Sequence, residues 1–290
     1  MSPDQYCQQR TAKSGSSFYY SFLFLPEDQR RAITALYAFC REVDDVVDEC
    51  QEAEVARAKL GWWQAEVERL FDGRPEHPVG KALLPFVASL NLPRELFEEI
   101  IQGMEMDLDQ PRYAAFRDLS LYCYRAAGVV GLLSAEIFGY EDRNTLKYAR
   151  DLGFAFQLTN ILRDVGEDAR RGRIYIPQDE MARFGVSEDD ILAARYTPEV
   201  TALLRHQAER AEGYYQRALA QLPEADRFAQ RSGLIMAAIY HRLLRKIEKE
   251  DFRVLHQRIS LTPLRKFWTA WRSLRGEKRR HRRWLKQQAA

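Results

Sequence analysis

Apolar residues recur every three to four positions along most of this chain, a spacing that predicts helices almost throughout. Pro26 is placed to start a helix, and apolar periodicity runs from residue 30 to 47. A second amphipathic run covers residues 52–71 and stops at Asp72-Gly73-Arg74-Pro75. The same periodicity marks residues 79–90, where Pro85 predicts a kink, and residues 94–108, 116–140, 198–222 and 232–252. Strand-like alternation and hairpin signals are missing, and prolines cluster at the segment boundaries, so the expected class is all-α. With 290 residues, 46% of them hydrophobic, and no Gly/Ser/Pro linker, one domain is expected.

Two helical stretches carry a polar stripe inside an apolar frame. Tyr37, Arg41, Asp44 or Asp45, and Asp48 lie about four residues apart, as do Gln157, Asn160, Asp164 and Asp168. Stacked carboxylates repel, by about 0.2–0.5 kcal/mol per exposed pair and by more where water is excluded. Removing one such charge is therefore expected to hold or raise stability. A solvated acidic face is the plain reading of one DxxxD. Two stripes, each with an Arg inside and one with an aligned amide, point instead to a bound cation. Carboxylate and amide oxygens suit Mg²⁺, which commonly bridges protein carboxylates to a substrate's phosphates.

The motifs themselves, Tyr37-Ala38-Phe39-Cys40-Arg41-Glu42-Val43-Asp44-Asp45-Val46-Val47-Asp48 and Gln157-Leu158-Thr159-Asn160-Ile161-Leu162-Arg163-Asp164-Val165-Gly166-Glu167-Asp168, resemble the two aspartate-rich motifs of the squalene/phytoene synthase family, the head-to-head prenyl transferases. Tyr122-Cys123-Tyr124-Arg125-Ala126-Ala127-Gly128-Val129-Val130-Gly131 and Gly172-Arg173-Ile174-Tyr175-Ile176-Pro177 match two further family signatures, and the likeness runs from about Ser14 to Arg258. It implies a single helical bundle of the isoprenoid-synthase type with a central apolar cavity. It further implies Mg²⁺ held by Asp44, Asp48, Asn160, Asp164 and Asp168, and catalytic roles for Tyr122, Arg41 and Arg163. Substrate would be held by Ser14, Ser16, Ser17, Tyr37, Arg41, Gln157, Arg163, Arg173, Tyr240 and Arg258. Ser16 stands where family members often carry a basic residue, with Lys13 as the candidate replacement, and Arg245 stands where an acid is common.

The subfamily likeness, in residues 12–22 and 129–138, is to presqualene diphosphate synthases of bacterial hopanoid pathways. It implies condensation of two farnesyl diphosphates to presqualene diphosphate, with release of diphosphate and hand-over to downstream pathway enzymes. Phytoene, dehydrosqualene or squalene synthesis is the alternative, and a non-catalytic prenyl-lipid-binding partner subunit is the alternative from another class.

Several features keep two readings. Glu105, Asp107 and Asp109 form a third acidic group without an aligned amide, for which a solvated or structural role is preferred; the family resemblance, in which this phrase recurs just ahead of the Tyr122-Cys123-Tyr124 motif, implies a supporting role near the site as the alternative. Gly128 and Gly131 serve either close helix packing or cavity space. Arg170, Arg171 and Arg173, around Gly172, form either a basic flap over the second stripe, the preferred reading, or a solvated loop. Cys7, Cys40, Cys50 and Cys123 show no metal-ligand spacing and read as reduced thiols.

A net charge of +2 argues against nucleic-acid binding by overall electrostatics. The N-terminus lacks a basic-then-apolar leader, and the apolar run at residues 126–135 is short of the roughly 20 residues a membrane span needs. A cytoplasmic protein, peripheral to the inner membrane, is expected. The basic C-terminal segment, about residues 265–290, interleaves Phe267, Trp268, Trp271 and Trp284 with Arg272, Arg275, Lys278, Arg279, Arg280, Arg282, Arg283 and Lys286. It reads as a solvated tail or as a peripheral membrane contact, the latter favoured among active roles.

Overall fold

Helices follow one another along the whole chain. The computed structural model describes residues 1–13, 18–50 and 52–289, so Ser14, Ser16 and Ser17 lie outside the described residues. In chain order the helices are α1 (Pro3–Lys13), α2 (Phe18–Phe22), α3 (Glu27–Glu49), α4 (Ala53–Phe71), α5 (Pro78–Ser89), α6 (Arg94–Asp109) and α7 (Phe116–Cys123). A π-turn (Tyr124–Gly128) joins α7 to α8 (Val129–Phe138). Then come α9 (Asn144–Arg170), α10 (Gln178–Arg183), α11 (Glu188–Leu192), α12 (Pro198–Gln221), α13 (Arg231–Lys249) and α14 (Pro263–Gln288). The all-α expectation holds, and among the described residues the only β-type pairing is one isolated bridge, Arg112 with Ile174.

Two apolar cores flank the middle of the molecule. One gathers α3, α4, α5 and α6 around Phe39, Leu60, Leu83 and Phe97, and the other gathers α9, α12 and α13 around Tyr148, Leu204 and Ile235. The α7–α8 rod runs between them, giving Leu119 and Cys123 to one core and Val129 and Leu133 to the other. By length and composition Phe116–Phe138 is apolar enough to cross a membrane, a longer stretch than residues 126–135 alone. Here it packs inside the bundle, and its Arg125 donates to Glu99 at 2.8 Å.

Close helix approach depends on glycine at two points. A Cβ on Gly131 would run into the Ala149 carbonyl oxygen of α9, and one on Gly153 would run into the Ala127 carbonyl oxygen. The two glycines interlock the α8 and α9 backbones, so packing is the main use of Gly131, although it also lines the apolar cavity. The Gly131→Ala protein is expected to lose about 2 kcal/mol of stability, because backbone rather than a flexible side chain must yield. A thermal melt that matched the parent would show that the helices separate freely.

α1 has little apolar pattern and forms by other means. Its Cys7 is buried, Arg10 pairs with Glu42 at 2.9 Å and with Asp45, and Tyr6 donates to Glu42 at 2.7 Å. This polar stitching holds α1 along α3 and turns Asp45 away from the molecular centre.

Candidate active site

α3 and α9 carry the two stripes to one cavity of about 530 Å³, within the size range of small-molecule sites. Asp44 and Asp48 line it from α3, and Asn160, Asp164 and Asp168 from α9. The ambiguity between Asp44 and Asp45 is resolved in favour of Asp44. The cavity also receives Tyr37, Arg41, Tyr122, Gln157, Arg163, Arg173, Tyr240 and Arg258, so every site residue named from sequence within the described part of the chain meets here. Arg245 stands apart, exposed and paired with Glu248 at 3.2 Å.

The stripes are not simply repulsive. Arg41 donates to Asp44 at 2.6 Å, and Arg163 and Arg258 donate to Asp164 at 2.7 and 2.8 Å. Arg171 and Arg173 reach across the mouth to Asp48 at 2.9 and 3.2 Å. Burial opposes ionisation of Asp164, but its two arginines outweigh that and hold the carboxyl below the ordinary range. The Asp168 backbone carbonyl accepts from the Arg171 and Arg173 N–H groups at 3.0 and 2.9 Å, whereas its carboxylate faces the cavity. Burial, then repulsion from Asp164 and Asp107, pushes its carboxyl up to about 7. Burial likewise lifts Asp44 to about 7, against the pull of Arg41. Asp164 and Asp48 are matched by arginine, and these ion pairs run against the expectation that neutralising any one stripe charge preserves stability.

The basic segment after α9 is partly flap and partly strap. Gly172 takes φ +78°, a left-handed turn that glycine allows without strain, and the chain then runs beside residues 111–114. Ile174 N–H donates to the Pro111 carbonyl at 3.1 Å and Gln178 N–H to that of Tyr113 at 2.9 Å. Arg170 turns aside to the Leu255 carbonyl, leaving Arg171 and Arg173 to face the carboxylates.

Asp107 was missed as a site residue. Glu105 and Asp109 point outward, to Gln64 and Arg57, while Asp107 turns into the cavity. It accepts hydrogen bonds from Tyr175 at 2.7 Å and Tyr122 at 3.1 Å, and the two phenol rings stack at 5.0 Å. Burial pushes the Asp107 carboxyl up to about 6 against the pull of Tyr175 and Arg173. Burial and then Asp107 push the Tyr122 phenol well above its ordinary value, so it stays protonated. Two sequence signals pointed to it: the acidic phrase recurs in the resembled family just ahead of the Tyr122-Cys123-Tyr124 motif, and Asp107 lies one helical turn from the buried Met104 and Gly103 face of α6.

Below the polar mouth lies an apolar cavity lined by Phe22, Leu36, Val130, Phe138, Leu152 and Met236. Phe18, Tyr37, Cys40, Ala126, Gln157 and Asn160 line both spaces. A ligand with a charged head and a long apolar tail fits this division. Asn160 Oδ1, at the boundary, is buried and has no hydrogen-bond partner among the described residues. An orphaned oxygen acceptor one helical turn from Asp164 fits a hard divalent cation. Among the described residues no cluster of three metal-ligating acidic, His or Cys side chains is preassembled.

Comparison with known proteins agrees with this geometry. The Squalene/phytoene synthase family profile matches residues 11–265. The 15-cis-phytoene synthase of Synechococcus elongatus is 39% identical over 272 residues, 90% of this chain and 88% of that protein. The phytoene synthase of Arthrospira platensis is 37% identical over 268 residues, covering 87% and 86% of the two chains. Phytoene synthase 1 of Arabidopsis thaliana is 37% identical over 269 residues, and this chain spans 63% of its length. Among solved structures, a dehydrosqualene synthase in complex with ligand superposes with a TM-score of 0.85 at 29% identity, over 95% of this chain and 96% of that one. Squalene synthase HpnC from Alicyclobacillus acidocaldarius gives a TM-score of 0.78 at 29% identity, over 86% and 94%. Two facing carboxylate helices, an apolar cavity beneath them and a profile match over most of the length lead to one conclusion: the chain belongs to the squalene/phytoene synthase family of prenyl transferases.

Proposed function

We propose that the protein is a phytoene-type synthase, joining two geranylgeranyl diphosphates head to head and releasing two diphosphates. The observation that carries this reading is the identity of 36–39% to proteins named phytoene synthase, three of them matched over 86–88% of their own length. The presqualene diphosphate expectation from residues 12–22 and 129–138 has less support, although both routes share the first half-reaction.

Family members use a divalent metal to bind diphosphate. Here Asp44 and Asp48 on α3, with Asn160, Asp164 and Asp168 on α9, would hold it. When bound, Mg²⁺ supplies Lewis-acid stabilisation of the departing diphosphate. Arg171, Arg173 and Arg258, which neutralise Asp48 and Asp164, are then free to turn their donors to diphosphate oxygens. Tyr240, beside Arg163 and Phe156, closes the inner edge of the head-group space.

Loss of diphosphate leaves an allylic cation that the 2,3-double bond of the second substrate attacks, and proton loss closes a cyclopropane. Ionisation of that intermediate, rearrangement and a second proton loss give the hydrocarbon with no reductant. The stacked Tyr122 and Tyr175 rings offer their π faces to positive charge. Tyr122 donates its own proton to Asp107, so a proton taken from the cavity by the phenol oxygen is balanced by passing the phenol's proton on to that carboxylate. Released diphosphate is the other base at hand.

Product analysis tests the proposal. Incubation with geranylgeranyl diphosphate and Mg²⁺, without NADPH, is expected to yield phytoene. No turnover of geranylgeranyl diphosphate, with accumulation from farnesyl diphosphate of a diphosphate that retains a cyclopropane ring, would overturn it in favour of the presqualene reading.

A further inference from the structure

α14 divides into two faces. Thr269, Ala270 and Leu274 are buried against the bundle, Glu277 pairs with Arg227 at 2.8 Å, and His281 stacks on Phe228 at 4.4 Å. The helix packs on α13 and α2, so it is an ordered element and not a free tail. The opposite face follows steps of four and three residues: Leu264, Trp268, Trp271, Arg275, Lys278, Arg282 and Leu285. Leu264 is 82% exposed, Trp268 54% and Leu285 48%, and Phe267 beside them is 48% exposed. A soluble helix facing only water has no use for four large apolar side chains on its outer side.

Charge on the same face has one sign. The helix holds one acid, Glu277, and that acid is turned inward to Arg227. Arg280 forms an ion pair with the Glu224 carboxylate. Arg272, Arg275, Lys278, Arg279, Arg282 and Lys286 are left to an outside anion, and Arg275 lies over the Trp271 ring at 4.5 Å. Position adds a third observation. Residues 258–261, which lead into α14, and Lys266 in its first turns line the mouth of the active-site cavity. The exposed Leu264, Phe267 and Trp268 are chain neighbours of these mouth-lining residues.

We propose that the outer face of α14 is a docking surface for an anionic lipid bilayer, lying in the plane of the interface and setting the cavity mouth against the lipid. Leu264, Phe267 and Trp268 enter the headgroup and acyl boundary, while the cations beyond them meet lipid phosphates. The apolar component distinguishes a bilayer from a nucleic acid, which would use the same cations but has no place for Leu264 and Leu285. The surface is independent of which prenyl product the enzyme makes.

Vesicle flotation of the full chain tests this without reference to turnover. Vesicles of phosphatidylcholine with phosphatidylglycerol are expected to carry the protein at low salt, and vesicles of phosphatidylcholine alone to carry much less. The double variant Arg279→Glu, Arg282→Glu should bind the anionic vesicles at least about thirtyfold more weakly, from about fivefold per cation near the surface. High salt should leave a residual bound fraction in the parent that Trp268→Ala removes. All three side chains are exposed, and circular dichroism checks that the variants stay folded. Equal binding to neutral and anionic vesicles, or no binding to either, overturns the proposal. Parent-like binding by Trp268→Ala also overturns it, since that marks a surface for a soluble polyanion.

Discussion

The Asp168→Asn protein is expected to release diphosphate at least about a hundredfold more slowly than the parent, yet to melt several degrees higher when metal-free at pH 8. In the fold its carboxyl is lifted to about 7 by burial and by Asp164 and Asp107, whereas in the unfolded chain it titrates near 3.8. Between those values the folded chain holds a proton that the unfolded chain has lost. Stability therefore falls as pH rises through this window, and the full penalty stands above pH 7. Three pKa units correspond to about 4 kcal/mol, and solvent at the cavity mouth reduces this to about 2 kcal/mol. Asparagine removes the penalty, so its advantage should shrink to nothing as pH approaches 4. Asp164→Asn should be equally inactive but melt lower. Its carboxyl is held below the ordinary range, so it contributes stability above the unfolded pKa, and its loss leaves Arg163 poorly matched in a buried position. Mg²⁺ with inorganic diphosphate should raise the melting temperature of the parent and of neither variant. Calorimetry at pH 8 and pH 5 decides it, and shifts of one sign for both variants would sink the electrostatic account.

Tyr122→Phe is expected to lower turnover about a thousandfold with an almost unchanged melting temperature. The change removes one oxygen from a buried stack whose shape is kept, and Asp107 retains its bond to Tyr175. Asp107→Asn should cost less, about tenfold to a hundredfold, because an amide oxygen can still accept from one of the two phenols. Single-turnover measurements with saturating Mg²⁺ separate this chemical loss from substrate binding. Parent-like single-turnover rates in Tyr122→Phe would remove the phenol from the mechanism and leave released diphosphate as the base.

The stripes were legible because four-residue spacing fixes a helix face before anything else is known, and both did meet at one cavity. Helix spacing could not choose between Asp44 and Asp45, which differ by a third of a turn. That choice is made by Arg10 on α1, a helix with almost no apolar pattern to announce it. Asp107 stayed hidden for a related reason. Glu105, Asp107 and Asp109 look alike in sequence, and only the packing of α6 beside α7 and α8 separates the inward carboxylate from the outward pair. Arginine pairing across the mouth joins residues more than a hundred positions apart, such as Arg173 and Asp48, and periodicity carries no information at that range. The docked inner face of α14 was written as helical spacing, but the same spacing also fitted a free interfacial helix.

The π-turn at Tyr124–Gly128 has a consequence for how such enzymes diverge. A π-turn holds one residue more than an α-turn. Tyr122 above the turn and Ala126 and Val130 at and below it, four residues apart, face the same interior. Deleting one residue here would restore regular winding and leave the apolar wall at nearly its present angle, because the wider turn is what absorbs the extra residue. A one-residue change of length in these five residues is therefore taken up locally as a change of winding, and the reacting end and the tail end of the cavity keep their relation while point substitutions reshape the wall.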